Sequence, residues 1–170
     1  MATRARIGIQ NEDGTITASY QHWDGYPGGL GYTLVDYWCD ANKTREAIEL
    51  GNASKSGFIV GTEVDFDDRN DPLHEVQNVY YMRDRGEKDQ GPNTYEGEAE
   101  YLAEGFNSGE EYIYLLKNTG KKDYLGKETG EWFYSHYDDH EFKPLEEVAI
   151  NDHIDMLKRH LEMMKDRKAA

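Results

Sequence analysis

Tyr20-Gln21-His22-Trp23-Asp24-Gly25-Tyr26-Pro27-Gly28-Gly29-Leu30-Gly31 is the stretch on which the rest of this 170-residue chain is organised. Asp24-Gly25 is a turn signal, and Pro27 followed by two glycines ends any regular strand pairing. A β-prone run, Thr15 to Tyr20, precedes the stretch. Behind it Leu30, Leu34 and Trp38 recur at four-residue spacing, which predicts a helix over 30–38. A strand, a glycine-bearing turn and a helix start bring backbone N–H groups together and suit an anion or polar ligand. His22, Trp23, Asp24 and Tyr26, with Gly28 and Gly29, are therefore the first candidate ligand-binding residues. The competing reading makes Trp23 and Tyr26 core aromatics, and the glycines spacers for close packing.

Upstream, Ala5–Gln10 and Thr15–Tyr20 flank Asn11-Glu12-Asp13-Gly14, a hairpin with Asp13-Gly14 at its turn. Downstream, Asn42 is expected to cap a second helix that closes at Gly51-Asn52. Phe58-Ile59-Val60 reads as a short strand. Asp65 to Pro72 is an acidic loop that fails the calcium-loop template, with Asn70 where glycine is required and Val76 where glutamate is required. Val76 to Met82 reads as a strand ending on Arg83-Asp84-Arg85. Arg83 and Arg85 form a polar fork suited to carboxylate or phosphate, unless each pairs with a nearby carboxylate.

Thr94 to Glu104 has helical composition, with Thr94 as its cap. Glu111–Lys117 is a strand with Tyr112, Tyr114 and Leu116 on one face, and Ile113 and Leu115 on the other. Asn118–Gly130 supplies a hairpin arm, and Glu131–Tyr137 the last strand. A helix from Pro144 to Lys168 carries Ile150, Ile154, Leu157, Leu161 and Met164 as a heptad seam. Intramolecular packing of this seam is expected, with a homodimer as the alternative. The whole is one α+β domain, mostly antiparallel sheet with packed helices and a long C-terminal helix. Residues 1–150 form the core and 151–170 a helical extension.

The net charge is −15, with residues 61–150 carrying nine basic and 23 acidic side chains, net −14. That balance opposes direct nucleic-acid binding and favours a partner with a basic surface. No apolar run is long enough for a membrane span. Cys39 is the only cysteine, so no intrachain disulfide forms. The histidine pairs His136/His140 and His153/His160 complete no metal site. No catalytic motif appears, and no catalytic residue, metal or cofactor is assigned.

The opening Arg6-Ile7-Gly8-Ile9, the His22-Trp23-Asp24-Gly25-Tyr26-Pro27 block, the Tyr81-Met82-Arg83-Asp84-Arg85-Gly86-Glu87 block and the aromatic strand at Trp132 carry a resemblance. Over residues 4 to about 148 the chain resembles a family of small proteins encoded by tailed bacteriophages. The resemblance implies a soluble protein made in the cytoplasm of an infected bacterium and supplies no catalytic residue. Three functional expectations follow. The first is an accessory protein that binds a host protein through its acidic surface, as a host-takeover or anti-defence inhibitor. The second is a small-ligand or nucleotide module in which the His22–Pro27 block and the arginine fork meet around a small anionic ligand. The third is a minor virion protein.

Overall fold

A computed structural model describes residues 1–170. The eight strands are β1 (Ala5–Gln10), β2 (Ile16–Gln21), β3 (Ala53–Lys55), β4 (Val79–Tyr80), β5 (Asn93–Tyr95), β6 (Tyr112–Lys122), β7 (Glu128–His136) and β8 (Lys143–Pro144). They form one sheet in the order β4-β3-β2-β1-β6-β7-β8, with β5 pairing the first half of β2. Pairing is antiparallel except at β1–β6 and β2–β3. The helices are α1 (Tyr32–Tyr37), α2 (Ala41–Glu49), α3 (Leu73–Val76), α4 (Tyr81–Arg85), α5 (Glu98–Asn107) and α6 (Glu146–Ala169). This is the α+β architecture expected of the sequence, and no helix is long and apolar enough to cross a membrane.

Both sheet faces are covered, because the strand alternation makes both apolar. Ala5, Ile7, Ile9, Tyr114, Leu116 and Trp132 point to one face, where Leu30, Leu34, Trp38, Ile48, Leu145 and Ala149 close over them. Ile16, Ala18, Ile113 and Leu115 point to the other, under Tyr95, Tyr101 and Leu102. The β6 alternation read from the sequence is thus the division between two cores. The first hairpin also forms as expected: Gly14 turns at φ +87°, and the Asp13 carboxylate accepts from the Thr15 amide and hydroxyl.

Several elements differ from the sequence expectation. Asp40, not Asn42, caps α2, because its carboxylate accepts from the amides of Asn42 and Lys43. Phe58–Val60 is not a strand; only Ile59 bridges, to Gln77, and the strand in this part of the chain is Ala53–Lys55, between β2 and β4. The strand expected over Val76–Met82 shrinks to Val79–Tyr80 between two helical turns. The Asp84 carboxylate takes the Tyr80 amide that a longer ladder would use, and Gly86 closes α4 at φ +72°. Thr94 lies in β5, and α5 starts after Gly97. Pro144 ends β8 instead of opening α6, where the first residue is Glu146.

The largest correction concerns α6. Its first half packs on the segment Pro27–Gly31 and on α1, with Leu145 and Ala149 fully buried. Beyond Met156 every residue is exposed, and the heptad seam expected to pack inside the molecule faces solvent. The boundary placed at 150/151 therefore falls inside one continuous helix.

Candidate functional site

β2 leads directly into the turn. The chain continues beside β3, with the His22 amide donating to Ala53 O and the Trp23 amide to Ser54 O. Buried Gln21 ties the same level together: its Nε2 donates to Trp23 O, and its Oε1 accepts from Ser56 Oγ. Asp24 then adopts a left-handed backbone, φ +57°, a conformation that aspartate tolerates better than most residues. Gly25 passes so close to the N-terminal strand that a Cβ there would lie 2.6 Å from Thr3 O. Its amide donates to that carbonyl, and its own carbonyl accepts from the buried Tyr114 hydroxyl at 2.7 Å.

Pro27–Gly31 winds as one π-helical turn into α1. Gly29 and Gly31 donate their amides to Tyr26 O, and Leu30 donates to Asp24 O. These N–H groups are consumed within the turn, so they do not converge on an anion as the glycine pattern suggested. Gly28 serves helix packing: a Cβ there would meet Met156 Sδ at 2.8 Å and the Asp152 backbone at 3.0 Å. His153 of α6 donates from Nδ1 to Gly28 O at 3.0 Å and stacks on Tyr32 with ring centroids 3.8 Å apart.

The result is a cleft of about 350 Å³ between this turn, α1, the 55–58 segment and α6. Trp23, Asp24, Tyr26, Gly28 and Gly29 line it, as the sequence suggested, and the fold adds Tyr32, Tyr37, Lys55, Phe58, Glu75 and His153. Trp23, Tyr37 and Phe58 are each about 40 % exposed at its rim, and Tyr37 packs on Phe58 at 4.4 Å. Lys43 fixes that rim by donating to Tyr37 O and Phe58 O, while burial lowers its pKa. Burial, and then the neighbouring Asp24 carboxylate, raise the Tyr26 pKa, so its phenol keeps its proton. Lys55 and Glu75 pair across the cleft at 3.3 Å. A smaller hollow of about 180 Å³, lined by Phe66, Arg69 and His74, adjoins the cleft and shares Trp23, Lys55 and Glu75 with it.

The remaining sequence candidates lie elsewhere. His22 does not line the cleft; its Nδ1 and the Tyr20 hydroxyl share a hydrogen bond at 2.6 Å, and its ring meets Trp23 edge-on. Burial pushes the Tyr20 pKa up to about 12 and lowers that of His22, so it favours the neutral form of both side chains. The arginine fork does not reach the cleft either. All of the Arg83 N–H groups are engaged: by both Asp84 oxygens, at 2.9 and 3.1 Å, and by the carbonyls of Val60, Gly61 and Asn78. Arg85 pairs with Glu87 at 3.4 Å and lies over the Phe66 ring. The expected single pocket for a phosphate or carboxylate therefore fails, because both arginines are spent on local partners.

Tyr37, Phe58 and His153 carried no local signal, since 11 to 129 residues separate them from Asp24 or Tyr26 along the chain and only the packing of α6 and the 55–58 segment unites them. Compared with known proteins, the chain has no significant match to a family model, a curated protein or a solved structure.

Proposed function

We propose that this protein is a binding protein whose acidic surface engages a basic partner protein, with a lysine or arginine side chain of that partner entering the cleft around Asp24. The observation that carries this reading is the composition of the cleft: the aromatic rings of Trp23, Tyr26, Tyr37 and Phe58 stand beside the Asp24 carboxylate, while Glu75 is paired with Lys55. Aromatic faces attract cations by about 0.5–1 kcal/mol when exposed and about 2 kcal/mol when desolvated. An anion, by contrast, finds no free arginine there, and the amides of Gly29, Leu30 and Gly31 are already bonded. The net −14 of residues 61–150 adds long-range steering of the same sign.

In this reading the likeness to tailed-phage proteins supplies the setting, a host protein met in the infected cell, and the protein acts by occupying a surface and not by catalysis. The test is a titration with an arginine-rich peptide and with its glutamate-substituted counterpart, followed by tryptophan fluorescence. Binding of the basic peptide alone is expected, with Trp23→Ala and Asp24→Asn each weakening it about tenfold and on-rates falling steeply with salt. Equal binding of both peptides, or an on-rate indifferent to salt, would overturn the reading.

A further inference from the structure

The projecting half of α6 has no role in the fold or in the cleft. From Leu157 to Ala169 all side chains are exposed, and the helix extends about 20 Å at 1.5 Å per residue. An isolated helix of this length is marginal in water, and apolar stripes normally supply the missing stability by being covered. Here Ile154, Leu157, Leu161 and Met164 are 42, 56, 53 and 42 % exposed. Their four-three spacing, continuing from Ile150, is the repeat that packs knobs into holes against another helix.

The residues beside the seam identify what covers it. Lys158 and Lys165 border one edge, and His160 and Arg167 the other, at the positions that face a partner helix's flanks. None of them is in an ion pair; no salt bridge in the molecule involves a residue beyond Lys143. The acidic residues Asp155, Glu162 and Asp166 lie on the opposite side of the helix. A second copy fits poorly. Paired in parallel, it would give Lys165 no acidic partner; paired antiparallel, it would set lysine against lysine. The bodies, residues 1–150, would also each bring a net charge of −16. An anionic membrane would also suit the basic flanks, but the narrow four-three seam is the repeat of helix-on-helix packing, whereas a helix lying on a membrane presents a broader apolar face.

We infer that the exposed seam of α6 is a docking surface for an amphipathic α-helix of a partner protein that carries acidic residues on both sides of its apolar stripe. The site is separate from the cleft and opposite to it in charge preference, so it stands whether or not the cleft takes a basic side chain.

The test uses the full chain and two synthetic helices about four heptads long, identical in their Leu/Ile core and bearing either Glu or Lys at the flanking positions. Calorimetry should show one-to-one binding of the Glu peptide and at least tenfold weaker binding of the Lys peptide. Leu157→Glu/Leu161→Glu should abolish it while leaving the near-UV circular dichroism unchanged, since both side chains are exposed. Trp23→Ala should leave it intact, which separates this surface from the cleft. Equal affinity for the two peptides, or none for either, would overturn the inference. So would sedimentation as a dimer that the double substitution converts to monomer, which would assign the seam to a second copy. Binding to phosphatidylglycerol vesicles that the same substitutions remove would assign it to a membrane and overturn the inference equally.

Discussion

Replacing Arg83 by alanine should destabilise the whole domain. The sequence places Arg83 in a ligand-binding fork, where its loss would spare the fold. In the structure its guanidinium is the knot of the 58–86 region. It donates to the Asp84 carboxylate twice and to three backbone carbonyls, Val60, Gly61 and Asn78, at 2.8 to 3.2 Å. The Asp84 carboxylate is itself fully buried and accepts from the amides of Val64 and Tyr80. Removing the arginine strands a buried carboxylate and the carbonyls it served. Breaking a buried pair from one side costs about 3–5 kcal/mol. With a urea slope of about 2 kcal/mol per molar, the midpoint should fall by about 1.5–2.5 M. Arg83→Lys keeps the charge but not the planar fork, and should fall between wild type and alanine. The internal control is Arg85→Ala. Arg85 is about half exposed and pairs with Glu87 at 3.4 Å, so its loss should cost about 1 kcal/mol or less. Urea unfolding followed by far-UV circular dichroism and by tryptophan fluorescence measures all three. Coincident midpoints for wild type and Arg83→Ala, or equal losses at positions 83 and 85, would refute the argument.

Two further outcomes follow from burial. Truncation after Met156 should leave the domain folded with a nearly unchanged urea midpoint, because residues 157–170 are exposed throughout, whereas truncation before Leu145 should unfold it by uncovering the π-helical turn; sedimentation and circular dichroism read both. Stability should also fall at alkaline pH. The Tyr20 and Tyr80 phenols are raised to about 12 in the folded state, chiefly by burial, so the unfolded chain releases those protons first, from about pH 10. Their stabilisation is complete below pH 10 and is lost as pH rises through about 12. Tyr101 and Tyr114, buried and raised further, extend the effect. Ultraviolet titration of tyrosinate should show a cooperative late step coincident with loss of near-UV signal, and a smooth titration of all thirteen tyrosines near pH 10 would contradict it.

The local chemistry of the chain determined the first hairpin, the two faces of Tyr112–Leu116, the helical character of the last segment and the α+β class. Each rests on interactions within a few residues: a turn glycine at position 14, an alternation of period two, a seam of four-three spacing. Trp23-Asp24-Gly25-Tyr26 was legible as a turn for the same reason, since Asp24 tolerates the left-handed backbone found there and Gly25 the close approach of Thr3. What the sequence could not set was the use of its polar side chains. Arg83 reads the same whether it faces a ligand or carbonyls 5 to 23 residues away, and the Val76–Met82 run reads as strand until Asp84 claims the Tyr80 amide. Nor does an apolar seam reveal what it packs on: burial of α6 was decided by the reach of Pro27–Gly31 and α1, leaving its first half on the glycine turn and its second half in water. Hydrogen-bond partners and burial depend on distances between segments far apart in the chain, and those distances exist only once the domain has folded.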